Sequence, residues 1–135
     1  MPQRLFEVLT REEIDRIEAA ADNERDALIV RVLTDTGIRV GELTGLKTTG
    51  VLAGNRSYFQ RVVGKGDRER LVPITPALHR RLTRYMEHAR PTDTSSDRLF
   101  LSRRRDRRTG DYTPLEINGV QQSMRARSMR QRTTR

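Results

Sequence analysis

Cysteine and tryptophan are absent from this chain, and lysine occurs only twice among its 135 residues. The lack of cysteine excludes disulfides and thiolate metal sites. The two histidines, His79 and His88, have no ligand-like neighbours in the sequence, so we expect neither a metal nor another cofactor. The chain has no apolar run long enough to span a membrane and no signal peptide at its start. We therefore expect a cytoplasmic protein without a membrane partner.

Large apolar side chains are also scarce, so we expect a small hydrophobic core. Only 34% of the residues are hydrophobic, and the aromatic residues are three Phe and three Tyr. A chain of this length corresponds to one domain or to part of one. Composition alone thus allows a folded domain but leaves it little apolar surface to bury.

Positive charge is in excess and is unevenly placed. The formal net charge is +9, which indicates a polyanionic partner, above all a nucleic acid. Residues 98–135 hold eleven Arg against three acidic residues, whereas residues 1–97 are nearly neutral. Residues 125–135 form a basic tail, for which the alternative to nucleic-acid contact is a solvated, disordered charge run.

The position of one lysine is informative. Lys65 lies between Gly64 and Gly66 in a predicted turn, while every basic residue other than Lys47 and Lys65 is Arg. Arg keeps its proton near neutral pH, whereas a Lys can release one when its surroundings lower its pKa. This placement indicates a need for a titratable cation, and chance is the alternative explanation.

Residues 27–33 are the most apolar run in the chain, and seven residues with one charge cannot all face water. They predict a buried helix over residues 24–35, with Asn23 as its N-cap. Gly37 suits the position just past the helix end, where a left-handed backbone is needed.

Arg39 and Glu42 are three residues apart in a short helical turn that we predict to begin at Arg39. Three apolar residues of the same stretch can instead point into the core: Ile38, Leu43 and Leu46. This pattern predicts a guanidinium held at the edge of the core by a neighbouring carboxylate. Such a planar donor fork suits a phosphate, and an ordinary surface salt bridge is the alternative.

Three short runs rich in β-branched and aromatic residues predict strands at residues 51–52, 58–63 and 71–74. Turn signals separate them, and Lys65 lies at the tip of the second predicted hairpin. We therefore predict a three-stranded antiparallel sheet set among helices.

Capping signals predict further helices on both sides of this sheet. A capping box at Thr10 and Glu13 opens a helix that runs to about residue 21, and Thr75 with Pro76 opens another. The apolar stripe of this second helix is predicted to comprise Leu78, Leu82, Tyr85, Met86 and Ala89, with His79 exposed.

The C-terminal part contains a charged loop, residues 103–110, long enough to reach a phosphate backbone. A capping box over residues 113–116 places Pro114 at the first position of a final helix. Ile117, Val120 and Met124 continue one face of that helix.

Two of these stretches together resemble the catalytic domain of tyrosine recombinases, the phage integrase family. Residues 36–43 resemble the family's Thr-Gly-x-Arg-x-x-Glu-Leu box, and residues 64–73 resemble its Gly-Lys-Gly hairpin with a following basic residue and Val-Pro. The resemblance covers residues 9–124. It implies an α+β fold that is mostly helical with a small three-stranded antiparallel sheet, incomplete at the C-terminus.

The resemblance also implies roles for individual residues. Arg39 would bind the scissile phosphate, Glu42 would orient Arg39 without touching the phosphate, and Lys65 would protonate the leaving 5′ oxygen. Double-stranded DNA is the implied partner, together with other recombinase protomers. The side chains that we expect to contact DNA are Arg68, Arg103, Arg104, Arg105, Arg107 and Arg108.

The sequence also departs from the family pattern. The family carries a His-x-x-Arg box, a later His or Trp and a Tyr nucleophile, and none of these is matched in the 135 residues. Leu82 stands three residues after His79, and Tyr112 precedes the last predicted helix. We therefore expect a partial, truncated catalytic domain over residues 1–124 with a basic tail, a DNA-binding part of an integrase that does not cleave alone.

Two other interpretations remain open at this point. One is a non-enzymatic basic DNA-binding protein, or recombinase remnant, that keeps the fold without the chemistry. The other is a nucleic-acid-binding protein unrelated to recombinases. A DNA-cleavage assay separates the recombinase from the first, and the geometry of Arg39, Glu42 and Lys65 separates it from the second.

Overall fold

The computed structural model describes residues 10–21 and 23–116. Its α-helices within these ranges are α1 (Arg11–Ala19), α2 (Glu24–Thr36), α3 (Val40–Thr44) and α4 (Pro76–Arg84). A three-stranded antiparallel sheet is formed by β1 (Val51–Ala53), β2 (Tyr58–Val63) and β3 (Glu69–Ile74). A two-stranded sheet follows, with β4 (Leu101–Arg105) and β5 (Tyr112–Pro114). The predicted α+β class with a small three-stranded sheet is confirmed.

Local capping explains where the first helix begins. The Thr10 hydroxyl oxygen accepts a hydrogen bond from the Glu13 N–H, and the Glu13 carboxylate accepts one from the Thr10 N–H, each at 3.1 Å. This is the predicted capping box, which satisfies two backbone donors that lack helical partners. The helix ends at Ala19, two residues before the predicted end.

Helix α2 supplies the centre of the core, as its apolar run predicts. The Asn23 side chain accepts a hydrogen bond from the Asp26 N–H at 2.9 Å, and Gly37 ends the helix with φ 69°. The helix buries Leu28, Ile29, Val30, Val32 and Leu33. Complete burial of one such aliphatic side chain contributes about 1.5–3 kcal/mol. These side chains therefore form the principal apolar contribution to stability in a chain with a lean core.

Salt bridges join the first two helices to α4. The Glu18 carboxylate accepts hydrogen bonds from Arg31 on α2 and from Arg81 on α4. Burial of the Glu18 side chain to 13% exposure keeps these charges partly out of water. The network thus holds α1 and α4 against α2.

In the described part of the chain, no helix is both long enough and apolar enough to cross a bilayer.

The register of the main sheet decides which side chains face the core. Strand β2 pairs with both neighbours, and Val62 lies opposite Arg70 on β3. Gln60 and Val62 are buried, whereas Arg61 and Val63 are exposed, because successive residues of a strand point to opposite faces. Directly opposite residues share one face of an antiparallel pair. Arg70 therefore lies on the core side of the sheet.

Helix α4 begins as predicted but ends differently. The Thr75 hydroxyl accepts a hydrogen bond from the Leu78 N–H at 3.1 Å, and the helix buries Leu78 and Leu82. The ring of His79 lies 4.2 Å from that of Tyr58, so His79 is half-buried instead of exposed.

A π-helical turn over Tyr85–Ala89 follows directly. It ends where the Arg90 N–H donates to the Tyr85 carbonyl at 2.8 Å, five residues back. The prediction that Ala89 belongs to the apolar stripe is wrong, because the wider turn rotates it into solvent.

The prediction of a loop over residues 103–110 is wrong for its first three residues, because Arg103, Arg104 and Arg105 continue β4. The chain turns at residues 106–110 and returns as β5, with Arg105 opposite Tyr112. Strand β4 is buried only at Leu101, so no alternation of apolar and polar residues marks it in the sequence.

The capping box predicted over residues 113–116 is also wrong. Thr113 and Pro114 lie in β5, and the Thr113 hydroxyl donates to the Arg104 carbonyl at 3.3 Å. The helix predicted through Ile117, Val120 and Met124 and the tail over residues 125–135 lie outside the described residues.

Candidate functional site

An open cleft of about 900 Å³ lies between the start of α3 and the hairpin that joins β2 to β3. Its α3 side is lined by Gly37, Arg39, Gly41 and Glu42. Its hairpin side is lined by Val63, Gly64, Lys65, Arg68, Glu69 and Arg70. The fold thus brings together the predicted site residues of the two family-like stretches, Arg39, Glu42, Lys65 and Arg68.

Arg39 lies at the mouth of this cleft as the N-cap of α3. Its backbone is extended, with φ −78° and ψ 152°, so the helix begins one residue later than predicted. The side chain is exposed, and its guanidinium forms no hydrogen bond or salt bridge within residues 10–21 and 23–116. This guanidinium is therefore available to a ligand.

Glu42 contacts Arg39 through the backbone only. Its Oε1 accepts a hydrogen bond from the Arg39 N–H at 2.9 Å. The predicted pairing of this carboxylate with the Arg39 guanidinium is only electrostatic: the positive charge of Arg39 acts on the carboxylate through space, but another residue forms the side-chain hydrogen bonds. Arg70 on β3 donates from Nη1 to Glu42 Oε2 at 2.6 Å and from Nη2 to Oε1 at 3.0 Å.

The Glu42–Arg70 pair changes the electrostatics of the cleft. Hydrogen bonds from Arg70 hold the pKa of Glu42 below its usual value, since they stabilise the charged carboxylate. The same bonds raise the pKa of Arg70. Arg70 is thereby neutralised. The Arg39 guanidinium, on the α3 side of the cleft, has no hydrogen bond or salt bridge to a described residue and interacts with Glu42 through space only. Sequence reasoning missed Arg70 because its partner is 28 residues away.

Lys65 lies at the tip of the β2–β3 hairpin, as predicted. The Gly64 N–H donates to the Arg68 carbonyl at 2.8 Å, which closes the turn. Gly66 adopts φ 72° and Asp67 adopts φ 58°, a left-handed region that glycine tolerates without cost. Lys65 and Arg68 are exposed, and neither has a partner in the part of the chain that the structure describes.

A pH titration tests the charge pairing. Because the folded-state pKa of Glu42 is lowered, the pair contributes stability above the ordinary pKa of a glutamate and loses it as pH falls through the lower folded-state pKa. We expect the ¹³C resonance of the Glu42 carboxyl to titrate below the ordinary midpoint of about 4.3. In Arg70→Met the midpoint should rise towards that value. Identical midpoints in the two proteins would contradict the pairing.

The other predicted DNA-contacting arginines lie on the β4–β5 hairpin and do not line the cleft. Arg104, Arg107 and Arg108 are exposed, and no side chain in the described part of the protein pairs with their guanidinium groups. Arg103, in contrast, lies 3.7 Å from the Asp26 carboxylate. The three unpaired side chains form a second cationic surface, which we call the hairpin arginines: Arg104, Arg107 and Arg108.

Arg105 differs from these neighbours because its guanidinium is already occupied. It donates to Asp93 Oδ2 at 2.5 Å and to the Tyr112 hydroxyl at 2.9 Å, and it stacks 4.3 Å above the Tyr112 ring. Arg105 therefore fastens the hairpin to the loop before β4, which leaves its guanidinium less available to a ligand.

Among the described residues, the cleft lining contains no tyrosine. Tyr58 stacks on His79, and Tyr112 is bonded to Arg105. Tyr85 is 3% exposed, and burial raises its pKa to about 12. The described cleft lining therefore offers cationic side chains but no tyrosine as an attacking group.

Comparison with known proteins identifies a family over most of the chain. The sequence profile described as "Phage integrase family" matches residues 7–132. Tyrosine recombinase XerA of Pyrococcus horikoshii is 35% identical over 108 residues, which are 80% of this chain and 36% of that protein. Tyrosine recombinase XerD of Yersinia pestis is 37% identical over 117 residues, 81% of this chain and 38% of that one. The chain thus spans little more than a third of the length of these relatives.

Solved structures agree in fold. The crystal structure of XerA recombinase superposes with a TM-score of 0.72 at 30% identity, over 94% of this chain and 43% of that one. XerH site-specific recombinase, crystallised with its difH substrate before cleavage, gives a TM-score of 0.58 at 18% identity over 92% of this chain and 43% of that one. At that identity the second likeness concerns the fold alone.

Proposed function

The chain belongs to the phage integrase family of site-specific tyrosine recombinases. On this basis we propose that its cleft binds a phosphate of duplex DNA between Arg39 and Lys65. The observation that carries the proposal is the separation of charges in the cleft. Arg39, Lys65 and Arg68 are exposed cations that form no hydrogen bond or salt bridge with a described residue, whereas Arg70 beside them is paired with Glu42. An anion entering the cleft would therefore meet three cationic side chains whose hydrogen-bond donors are not taken up by described residues.

Each of these residues has a distinct chemical task in the proposal. Arg39 binds two phosphate oxygens with its fork and stabilises charge that develops there, which is a large term in phosphoryl transfer. Glu42 holds the backbone of Arg39 and does not itself contact the phosphate. Lys65 acts as the general acid for the leaving oxygen, since an amine can give up its proton and a guanidinium cannot.

The hairpin arginines extend the interaction along the DNA backbone. Their charges are solvent-exposed and their turn is held by Asp106, whose carboxylate accepts hydrogen bonds from the Arg108 N–H at 2.7 Å and the Thr109 N–H at 3.2 Å. Side chains of this kind bind phosphates without reading sequence. We propose that residues 1–124 act as the catalytic-domain part and that residues 125–135 add a basic tail.

We also propose that these 135 residues bind DNA without cutting it. Positioned cations stabilise a transition state only when an attacking group is present. The tyrosines in the described part are engaged elsewhere, and no His-x-x-Arg sequence occurs in the chain. A non-enzymatic DNA-binding protein would behave in the same way, and complementation by the missing groups separates the two.

Duplex affinity measured at several salt concentrations tests the binding. We expect modest, sequence-indifferent affinity that falls steeply with salt, because binding to phosphates releases counterions. Arg39→Ala should lower the slope of log K against log salt by about 1. Replacement of the hairpin arginines with Ser should lower the slope by about 1 for each phosphate that the variant no longer binds. Fluorescence anisotropy of a labelled duplex supplies the measurement.

Two control variants make this test specific. Arg16→Ala removes an exposed positive charge on α1 that neither lines the cleft nor belongs to the hairpin arginines, and it should leave the slope unchanged. Arg105→Ser removes a charge that Asp93 already neutralises, so it should affect stability more than the slope. If Arg16→Ala lowers the slope as much as Arg39→Ala, net charge alone explains the binding and the proposed cleft is wrong.

A further inference from the structure

Arg70 occupies a position where the alternation of β3 calls for an apolar side chain. Val72 and Ile74 share its face of the strand and pack against the core, and Val62 directly opposite is fully buried. A guanidinium at this place, 48% exposed, adds no apolar burial to the core. It also adds no free charge to the cleft, since Glu42 neutralises it. Phosphate binding by Arg39 and Lys65 therefore leaves Arg70 unexplained.

The hydrogen bonds of Arg70 link the two sides of the cleft. Both oxygens of the Glu42 carboxylate accept a hydrogen bond from Arg70, and Oε1 also accepts the Arg39 N–H. One carboxylate thus joins the residue that begins α3 to the strand that follows the lysine hairpin. Paired parallel hydrogen bonds fix orientation as well as distance, which a single charge pair does not do.

Gly64 shows that the base of the hairpin is fitted to this pair. A Cβ at Gly64 would lie 3.0 Å from Glu42 Oε2 and 3.4 Å from Arg70 Nη1. Since the backbone at Gly64 is not left-handed, with φ −99°, the close approach explains the glycine better than backbone freedom does. Lys65 is the next residue in the chain. The Glu42–Arg70 pair therefore packs against the hairpin at Gly64, the residue that directly precedes Lys65.

We propose that Arg70 is a positioning residue, which sets the separation of Arg39 and Lys65 by clamping α3 to the base of the β2–β3 hairpin through Glu42. The inference rests on the proposed function, in which these two cations share one phosphate. The clamp holds the hairpin at its base and leaves its tip free, so Lys65 approaches a ligand from a fixed direction. Arg70 itself touches no phosphate.

A matched pair of variants tests this role. Arg70→Lys and Arg68→Lys both keep the net charge, and both alter a residue that lines the cleft. Of these two arginines, only Arg70 donates paired hydrogen bonds from its guanidinium, to the Glu42 carboxylate, and a Lys cannot reproduce that geometry. In Arg70→Lys we expect the Arg39 amide proton to exchange with solvent about tenfold faster, because the carboxylate that accepts it is no longer held. Duplex affinity should fall about fivefold with an unchanged salt slope, as expected when geometry changes and charge does not.

The control variant and a second amide, at the end of α2, complete the experiment. Arg68→Lys should leave the exchange of the Arg39 amide as in the wild type. The Gly37 amide, which donates to the Leu33 carbonyl at 3.1 Å, should keep its exchange rate in both variants and so exclude general destabilisation.

Two results would overturn the proposal. If Arg70→Lys exchanges and binds like the wild type, the clamp has no role in positioning. If Arg70→Met lowers the salt slope by about 1 while the Arg39 amide keeps its rate, Arg70 is itself a phosphate ligand. If the wild-type chain fails to bind DNA, the proposed function fails. The Arg39 exchange rate in Arg70→Lys then still decides whether the clamp exists.

Discussion

Incubated with a nicked duplex that traps covalent intermediates, the 135-residue chain should form no protein–DNA adduct at any pH between about 6 and 9, because none of its three tyrosines is among the described residues that line the cleft. Arg39 can neutralise the phosphate and Lys65 can supply a proton, yet the phosphodiester does not break without a nucleophile. A denaturing gel with labelled DNA detects an adduct directly. We expect complete absence of product, which is a larger effect than any single substitution would cause.

The same experiment separates a partial recombinase from a protein without the chemistry. Addition of a peptide that carries a His-x-x-Arg box and a Tyr nucleophile should restore an adduct if the first part of the site is already formed. That restored adduct should disappear in Arg39→Ala and in Lys65→Ala, whereas Arg16→Ala should keep it. An adduct that forms without the peptide and disappears in Tyr112→Phe would contradict our expectation and make Tyr112 the nucleophile.

Replacement of Asp26 by Ala should lower the free energy of unfolding by about 3–5 kcal/mol, the cost of breaking a buried ion pair from one side. Asp26 is 2% exposed, and its Oδ1 accepts hydrogen bonds from Arg25 Nε at 3.0 Å and Nη2 at 2.7 Å. Arg25 also donates to the Leu101 carbonyl at 2.7 Å, which connects the start of α2 to β4. Removal of the carboxylate would leave a largely buried guanidinium without its counter-charge.

Asp35→Ala is the matched control for this prediction. Asp35 is on the same helix and lies 3.5 Å from Arg31, but it is only partly buried, with 31% of its side chain exposed. An ion pair at the surface contributes about 0–1 kcal/mol, so its removal should shift a urea unfolding curve only slightly. If both substitutions cost the same, the network around Asp26 does not hold α2 to β4 as the hydrogen bonds indicate.

Several elements were predictable because the interactions that form them lie within a few residues of each other. Thr10, Asn23 and Thr75 each cap a helix through a backbone donor three residues on, so the capping residue and its partner appear together in the sequence. Gly37 ends α2 for an equally local reason. The strands of the main sheet are predictable because each contains a short run rich in β-branched or aromatic residues, and turn signals separate the runs.

Other elements could not be predicted because no nearby residue determines them. Strand β4 is a run of arginines beyond Ser102, and it became a strand only through pairing with β5. Ala89 is not part of the apolar stripe, because the helical turn that contains it is a wider π-helical turn. The residue types in this turn do not reveal that widening. In both places the local pattern of residue types did not determine the backbone that formed.

The candidate site shows the same division most clearly. The sequence by itself determined that Arg39, Glu42 and Lys65 belong to family-like motifs, that Gly37 turns the chain before Arg39, and that Lys65 lies at a hairpin tip. Only the tertiary structure decided which guanidinium Glu42 neutralises. That choice depends on the register of β2 with β3 and on the packing of α3 against this sheet, which place Arg70 within 2.6 Å of a carboxylate 28 residues away. The Arg39 guanidinium forms no hydrogen bond with Glu42 because Arg70, a residue remote in the sequence, occupies that carboxylate.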